Sequence, residues 1–293
     1  MLSVFRRSYG ERRNRIRETT MTASVPTTTP GQVSDFYDVY NSLLRKYWDD
    51  NFHFGYWLDA DDGSSVSVAT DRFTDIMISK LPVGPGARIL DVGCGIGKPA
   101  IRLARATGAS VLGISINQNQ VDEANALAAA EGLADRVSFQ VVNALDMPFD
   151  DGSFDAALAF ESIVHMPRKA ALSEIARVVR PGGHIALTDL IRVDAEESTS
   201  PAAFMTQSVV RLEDYRELCR DAGIEIDELL DVSAHTDRTY DAMQNGIERS
   251  SEEISGKFGP GMMETLKNVM TPFAMGNVIG CAIVAGRRKP VLR

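Results

Sequence analysis

Cysteine is scarce in this 293-residue chain: Cys94, Cys219 and Cys281 lie far apart, and no CxxC pair occurs. That argues against a disulfide framework and a cysteine zinc site, and it fits a reducing cytoplasm. Long apolar runs are missing as well; no stretch approaches the roughly 18 to 20 uninterrupted apolar residues a membrane span needs. A membrane partner is therefore not expected. Positive charge is in short supply, with 31 Lys and Arg against 40 Asp and Glu for a net −9. Six arginines crowd into residues 1–20 beside Glu11 and Glu18, so the remainder carries −13. An acidic body with no basic stripe interleaved by aromatics repels phosphate backbones, and nucleic acid is not an expected partner. His53, His184 and His235 do not stand at metal-ligand spacing with carboxylates, so no metal is expected either.

What is present is an ordinary globular composition, 44% apolar and 24% charged, enough for a substantial core. Residues 1–32 read as an extension. Met1–Thr20 is arginine-rich without an apolar signal core, and reads as a transit peptide or as an extension upstream of a start at Met21; a Thr/Pro-rich linker follows. Residues 33–82 read as a helical N-terminal lid: Phe36, Tyr40, Leu43, Leu44 and Tyr47 recur at helical spacing, and a second helix runs from about Ser67 to Lys80.

Residues 83–190 form the expected core. Apolar runs at Arg88–Val92, Ser110–Ile114, Val137–Val142, Phe154–Phe160 and His184–Leu190 alternate with helical patterns at Ala100–Ala106, Asn117–Glu131 and Arg168–Val179. Such alternation predicts an α/β fold, a doubly wound and mostly parallel sheet covered on both faces. Residues 191–293 add a helix at Arg211–Ala222, a strand at Ile224–Val232, a Met-rich helical stretch from Tyr240 to Met275 and a closing strand at Asn277–Gly286.

The most informative stretch is RILDVGCGIGKP, Arg88–Pro99. Gly93, Gly95 and Gly97 follow a strand and open a helix, letting the backbone turn tightly at the carboxyl edge of the sheet. A dinucleotide fingerprint needs glycine where Lys98 stands, and Pro99 removes the P-loop ending. The remaining common user of a strand, an acidic residue and GxGxG is S-adenosylmethionine. Here the chain resembles the class I S-adenosylmethionine methyltransferases. Asp91–Gly97, Asn143–Phe149 with Ser153–Ala156, and Arg177–Gly183 match successive motifs of that family. More narrowly, Asn51–Trp57, Gly95–Ala100 and Glu161–Pro167 resemble bacterial natural-product methyltransferases of the rebeccamycin sugar O-methyltransferase type, over roughly Val33 to Pro290.

The resemblance implies a Rossmann-like class I methyltransferase fold with S-adenosylmethionine as cofactor. Asp91 is placed to attract the ammonium of the methionine half, or else stabilises the loop. The acidic residue that often holds the ribose hydroxyls is missing, and Ser115 and Gln120 stand as its substitutes. Asn143, Ala144 and Leu145 match the adenine-edge positions. Phe160 and Glu161 end the fourth strand beside the methionine half, although Phe160 also suits the core. The aromatic N-terminal segment, with Tyr37 and His53, is expected to fold over the cofactor.

His165 is the candidate base for an alcohol acceptor, or a residue that orients it while packed on the cofactor. The sugar methyltransferase has two successive histidines here where this chain has Val164-His165. Asp189 is expected either to orient the base or hold a substrate hydroxyl, or to be a buried structural carboxylate. Phe204, Met205, Met243, Met262, Met263, Met270, Phe273 and Met275 would suit a cap over a bulky, partly apolar small-molecule acceptor, or fill a core. The expected function is O-methylation of a secondary metabolite in the cytoplasm, possible also as a homo-oligomer. The alternatives are a C-methyltransferase coupled to cyclisation, a methyltransferase-like cyclase, and a non-catalytic cofactor-binding module.

Overall fold

The computed structural model describes residues 51, 53–193, 209–259 and 279–290, with 31, 261 and 263 as single positions. The helix expected after Val33, with Tyr37, and the cap residues Phe204, Met205, Met262, Met270, Phe273 and Met275 lie outside the described residues.

Strand β1 (Arg88–Val92) lies inside the sheet. It is followed by α2 (Lys98–Thr107), β2 (Ser110–Ser115), α3 (Gln118–Ala130), β3 (Val137–Val141) and β4 (Phe154–Phe160), with α1 (Val66–Ser79) preceding it. A short 3-10 turn (Ile163–His165), α4 (Arg168–Val178), β5 (Val179–Arg192), α5 (Asp214–Asp221) and β6 (Ile224–Asp231) come next. The chain continues through α6 (Ser233–Thr236), α7 (Arg238–Arg249), α8 (Ser251–Phe258) and β7 (Ile279–Arg288). The sheet order is β3-β2-β1-β4-β5-β7-β6, parallel throughout except that β7 runs antiparallel to both β5 and β6.

Alternate residues of each inner strand serve two cores. Ile89 faces a layer with Phe73, Met77, Leu103 and Phe139, whereas Leu90 faces Leu172, Ile175, Ile185 and Tyr215. A strand buried on both faces has no polar side to show, which is why RILDV and its counterparts read as continuous apolar runs. The helices end where their chemistry dictates: Ser65 caps α1 by accepting the Val68 N–H, Asn117 caps α3 through Gln120, and Gly108 closes α2 at φ +73°.

Two expectations change. β5 begins at Val179 rather than His184, because Val179 already pairs with Phe154 before a register shift. The Met-rich stretch is broken at Ser250 into α7 and α8, and α8 ends at Gly259 with φ +88°.

Candidate active site

From β1 the chain moves out to β2 and β3, then returns to β4 on the other side of β1. The crevice outside the carboxyl ends of β1 and β4 is therefore the topological switch point, the place where open α/β sheets take ligands. The glycine turn closes one wall. Gly93 and Cys94 donate their N–H groups to the Ile114 carbonyl at 2.9 and 3.0 Å, which pins the turn to the end of β2. Gly93 and Gly97 have φ of +75° and +84°. A Cβ on Gly93 would run into the Ser162 side chain, and one on Gly97 into the Phe139 ring. Their freedom thus serves close packing as well as ligand approach. Gly97 also stands as the N-cap of α2 with no side chain to cap it.

Two carboxyl groups end the strands flanking the switch point. Asp91 is 1% exposed, and among the described residues its Oδ2 has no hydrogen-bond partner. Burial without a counter-charge pushes its carboxyl up to about 7. Such an atom is an invitation to a cation, since leaving it unmatched is costly. Glu161 follows β4 directly. Burial pushes its carboxyl up to about 8, against the pull of the Phe54 N–H. Its own N–H donates to the Thr188 carbonyl and hydroxyl.

Asn51 and residues 53–57 cross this region as a strap. Asn51 donates to Thr70, and the Tyr56 N–H reaches the Ala69 carbonyl, fastening the strap to α1. The Phe54 N–H donates to Glu161 Oε1 at 3.0 Å. On the far side Gly55 donates to Thr239 and Trp57 to the His235 carbonyl. Glycine is required at 55, because a Cβ there would lie 2.7 Å from the Trp57 ring. His53 sits inside the strap, 1% exposed. Its Nδ1 lies 2.8 Å from the Phe54 carbonyl, so that nitrogen carries a proton, and Nε2 lies 3.0 Å from the Thr74 hydroxyl. With its ring edge-on to Phe160, His53 anchors the strap from within.

Ser115 and Gln120 meet at the end of β2: the Ser115 hydroxyl donates to Gln120 Oε1 at 2.9 Å and accepts the Asn117 N–H. The pair's remaining donors are those of the Gln120 amide. Asn143 is exposed, and its Oδ1 accepts the Leu145 N–H, shaping the loop after β3 with Ala144 buried beneath. Phe160 belongs to the core cluster with Phe73 and His53. His165 is half-buried on the turn after Glu161, on the same carboxyl edge.

Asp189 lies inside the fold. It is fully buried; Arg168 Nε and the Tyr215 hydroxyl both donate to its Oδ2, and the Leu190 N–H donates to Oδ1. It joins α4, β5 and α5, which favours the buried structural carboxylate among its expected readings. Sequence reasoning missed His235, Thr239 and Tyr240, since contacts across nearly two hundred residues leave no local spacing; Gly55 between aromatics was the one visible sign. Among the described residues no group of three or more His, Cys, Asp or Glu could hold a metal ion, and no helix is long and apolar enough to cross a membrane. The groove lined by Arg216, Ile224, Ile226 and Lys289 opens at the opposite edge of the sheet.

A family profile described as a methyltransferase domain matches residues 89–183, spanning β1 to the start of β5. The methyltransferase GfsG of Streptomyces halstedii is 41% identical over 72% of this chain and 79% of its own length. The 27-O-demethylrifamycin SV methyltransferase of Amycolatopsis mediterranei is 34% identical over 89% of this chain and 98% of its own. Among solved structures, the cyclase SpnF superposes with a TM-score of 0.81 at 32% identity, covering 92% of this chain and all of that one.

Proposed function

The chain belongs to the class I methyltransferase family, and on that premise we propose that it is an S-adenosylmethionine-dependent O-methyltransferase of a bulky, partly apolar secondary metabolite. The observation that carries the cofactor is the buried, unmatched Oδ2 of Asp91 at the switch point. A site that must hold an ammonium needs such an acceptor, and the residues present fit the group. The preference for oxygen follows the relatives, of which the rifamycin enzyme is named for a 27-O-demethyl substrate.

Each residue then has a task. Asp91 holds the ammonium of the methionine half, and the uncapped N-terminus of α2 at Gly97 receives its carboxylate. Gln120, oriented by Ser115, donates to the ribose diol, and the loop at Asn143, Ala144 and Leu145 borders the adenine. When bound, S-adenosylmethionine supplies an electrophilic methyl on a sulfonium. His165 takes the proton of the acceptor hydroxyl or orients it, and the strap at 53–57 excludes water. The acceptor is a small molecule met in the cytoplasm.

The experiment is incubation of the purified protein with S-adenosylmethionine and a panel of hydroxylated polyketides and glycosides. Formation of S-adenosylhomocysteine together with a product heavier by one methyl supports the reading; absence of cofactor binding by folded protein ends it. The likeness to SpnF favours a second reading as a cyclase. An acceptor that gains a ring at unchanged mass would select it.

A further inference from the structure

Glu161 adopts a conformation its residue type resists. Its φ is +49°, the one positive φ on a non-glycine residue among the described residues. Backbone strain of this kind persists where surroundings over-determine it and clusters at working sites. Here the surroundings act from two sides: Thr188 on β5 takes the Glu161 N–H through its carbonyl at 3.2 Å and its hydroxyl at 3.0 Å, while Glu161 Oε1 takes the Phe54 N–H at 3.0 Å. A turn alone would be better served by glycine. The side chain is what the strained position retains.

That side chain reaches the middle of the strap, between its fastenings to α1 at Asn51 and Tyr56 and to α6 and α7 at Trp57 and Gly55. The Phe54 ring in turn packs edge-on against Tyr240 of α7 at 5.1 Å. Whatever fixes Phe54 therefore bears on both the strap and α7. We propose that Glu161 is a positioning residue: by accepting the Phe54 N–H it seats residues 53–57 as a wall of the cofactor site, so that seated strap and bound cofactor stabilise each other. The proposal rests on the methyltransferase reading for the identity of that cofactor.

The test compares wild type, Glu161→Gly and Glu161→Gln by amide hydrogen exchange at Phe54 and by calorimetric binding of S-adenosylmethionine. Glycine accepts φ +49° without strain, so the first variant removes the carboxylate while sparing the turn. Glutamine keeps an acceptor oxygen, and serves as an independent test should the glycine variant not fold. Expected in Glu161→Gly are Phe54 exchange faster by about tenfold or more and cofactor affinity weaker by about tenfold. Glu161→Gln should stay within about threefold of wild type on both, since a neutral acceptor still bonds an N–H. Unchanged Phe54 exchange in Glu161→Gly overturns the proposal, as does unchanged affinity. So does a glutamine variant as impaired as the glycine one, which would transfer the role to charge. A wild type that binds no S-adenosylmethionine defeats the methyltransferase reading instead, and Phe54 exchange without ligand still decides whether Glu161 seats the strap.

Discussion

Trp57 and His235 hold each other reciprocally: the Trp57 N–H donates to the His235 carbonyl at 2.9 Å, and His235 Nδ1 donates to the Trp57 carbonyl at 2.8 Å. The His235 ring also stacks on Tyr56, with centroids 4.4 Å apart and planes within 9°. This joins the strap to α6, beside the Phe54–Tyr240 contact to α7. His235→Ala removes one of the two bonds and the stack, and should cost about 1–2 kcal/mol in urea unfolding. An unchanged unfolding midpoint would remove the pair from any account of how the strap is held.

Asp91 predicts a pH dependence with a definite sign. Its carboxyl titrates near 7 in the folded protein, against roughly 3.9 when unfolded. Between those values the folded state keeps a proton that the unfolded state has released. Its contribution therefore falls as pH rises from about 4 to about 7 and is flat above. Asp91→Asn abolishes that slope, so the stability difference between wild type and variant should shift in the variant's favour across this window. Cofactor affinity should behave oppositely, tightening in wild type as the carboxylate forms and staying weak and flat in the variant. Calorimetry at pH 6 and pH 8 checks it; equal affinities for the two proteins at pH 8 would deny Asp91 its ammonium.

On the proposed reading, oxygen chemistry turns on His165. His165→Ala should lower turnover about a hundredfold or more if the imidazole removes the acceptor proton, while S-adenosylmethionine binds as in wild type. Near-normal turnover with a hydroxyl acceptor would leave it no part in the proton transfer.

The sheet was legible because strands buried on both faces write themselves as apolar runs, and RILDV is bounded identically in sequence and structure. The position of β7 between β5 and β6 was not, since antiparallel insertion is settled by pairing partners far away in the chain. Within the site, the glycine turn and Asp91 could be read from one contiguous motif. Asp189 shows the limit. Thr188 and Asp189 are neighbours at the end of one strand, and successive side chains face opposite ways: Thr188 serves Glu161 beside the crevice, and Asp189 turns to Arg168 and Tyr215. Counted only as carboxylates at strand ends, Asp189, Asp91 and Glu161 look the same.

That arrangement is itself testable. Asp189, Arg168 and Tyr215 are all buried, so removing the carboxylate takes the Asp189 counter-charge from a buried cation. Asp189→Ala should destabilise by about 3–5 kcal/mol, and Tyr215→Phe by about 1–2 kcal/mol. The surviving folded Tyr215→Phe protein should turn over normally, measured per active site. A specific loss of kcat at unchanged stability would return Asp189 to the chemistry.

Gly97 and Phe139 offer the sharpest test of the glycine turn, because space and conformation can be separated there. A Cβ at 97 would meet the Phe139 ring, with Cε1 at 2.8 Å, and the Ala124 methyl at 3.0 Å. The φ of +84° disfavours alanine in addition, by about 1–2 kcal/mol. Gly97→Ala should therefore cost more than this conformational share alone, by about 1–3 kcal/mol of overpacking. Gly132 is the control: its φ is +68°, but nothing lies within 4 Å of a Cβ there, so Gly132→Ala should show the conformational share by itself. Phe139→Leu shortens the ring that Gly97→Ala strikes. The double variant should recover the overpacking share and no more, leaving a coupling of about 1 kcal/mol or above in a mutant cycle. Strict additivity would mean that the glycine is kept for its dihedral alone, and that the backbone at this corner stands clear of its neighbours until a ligand arrives.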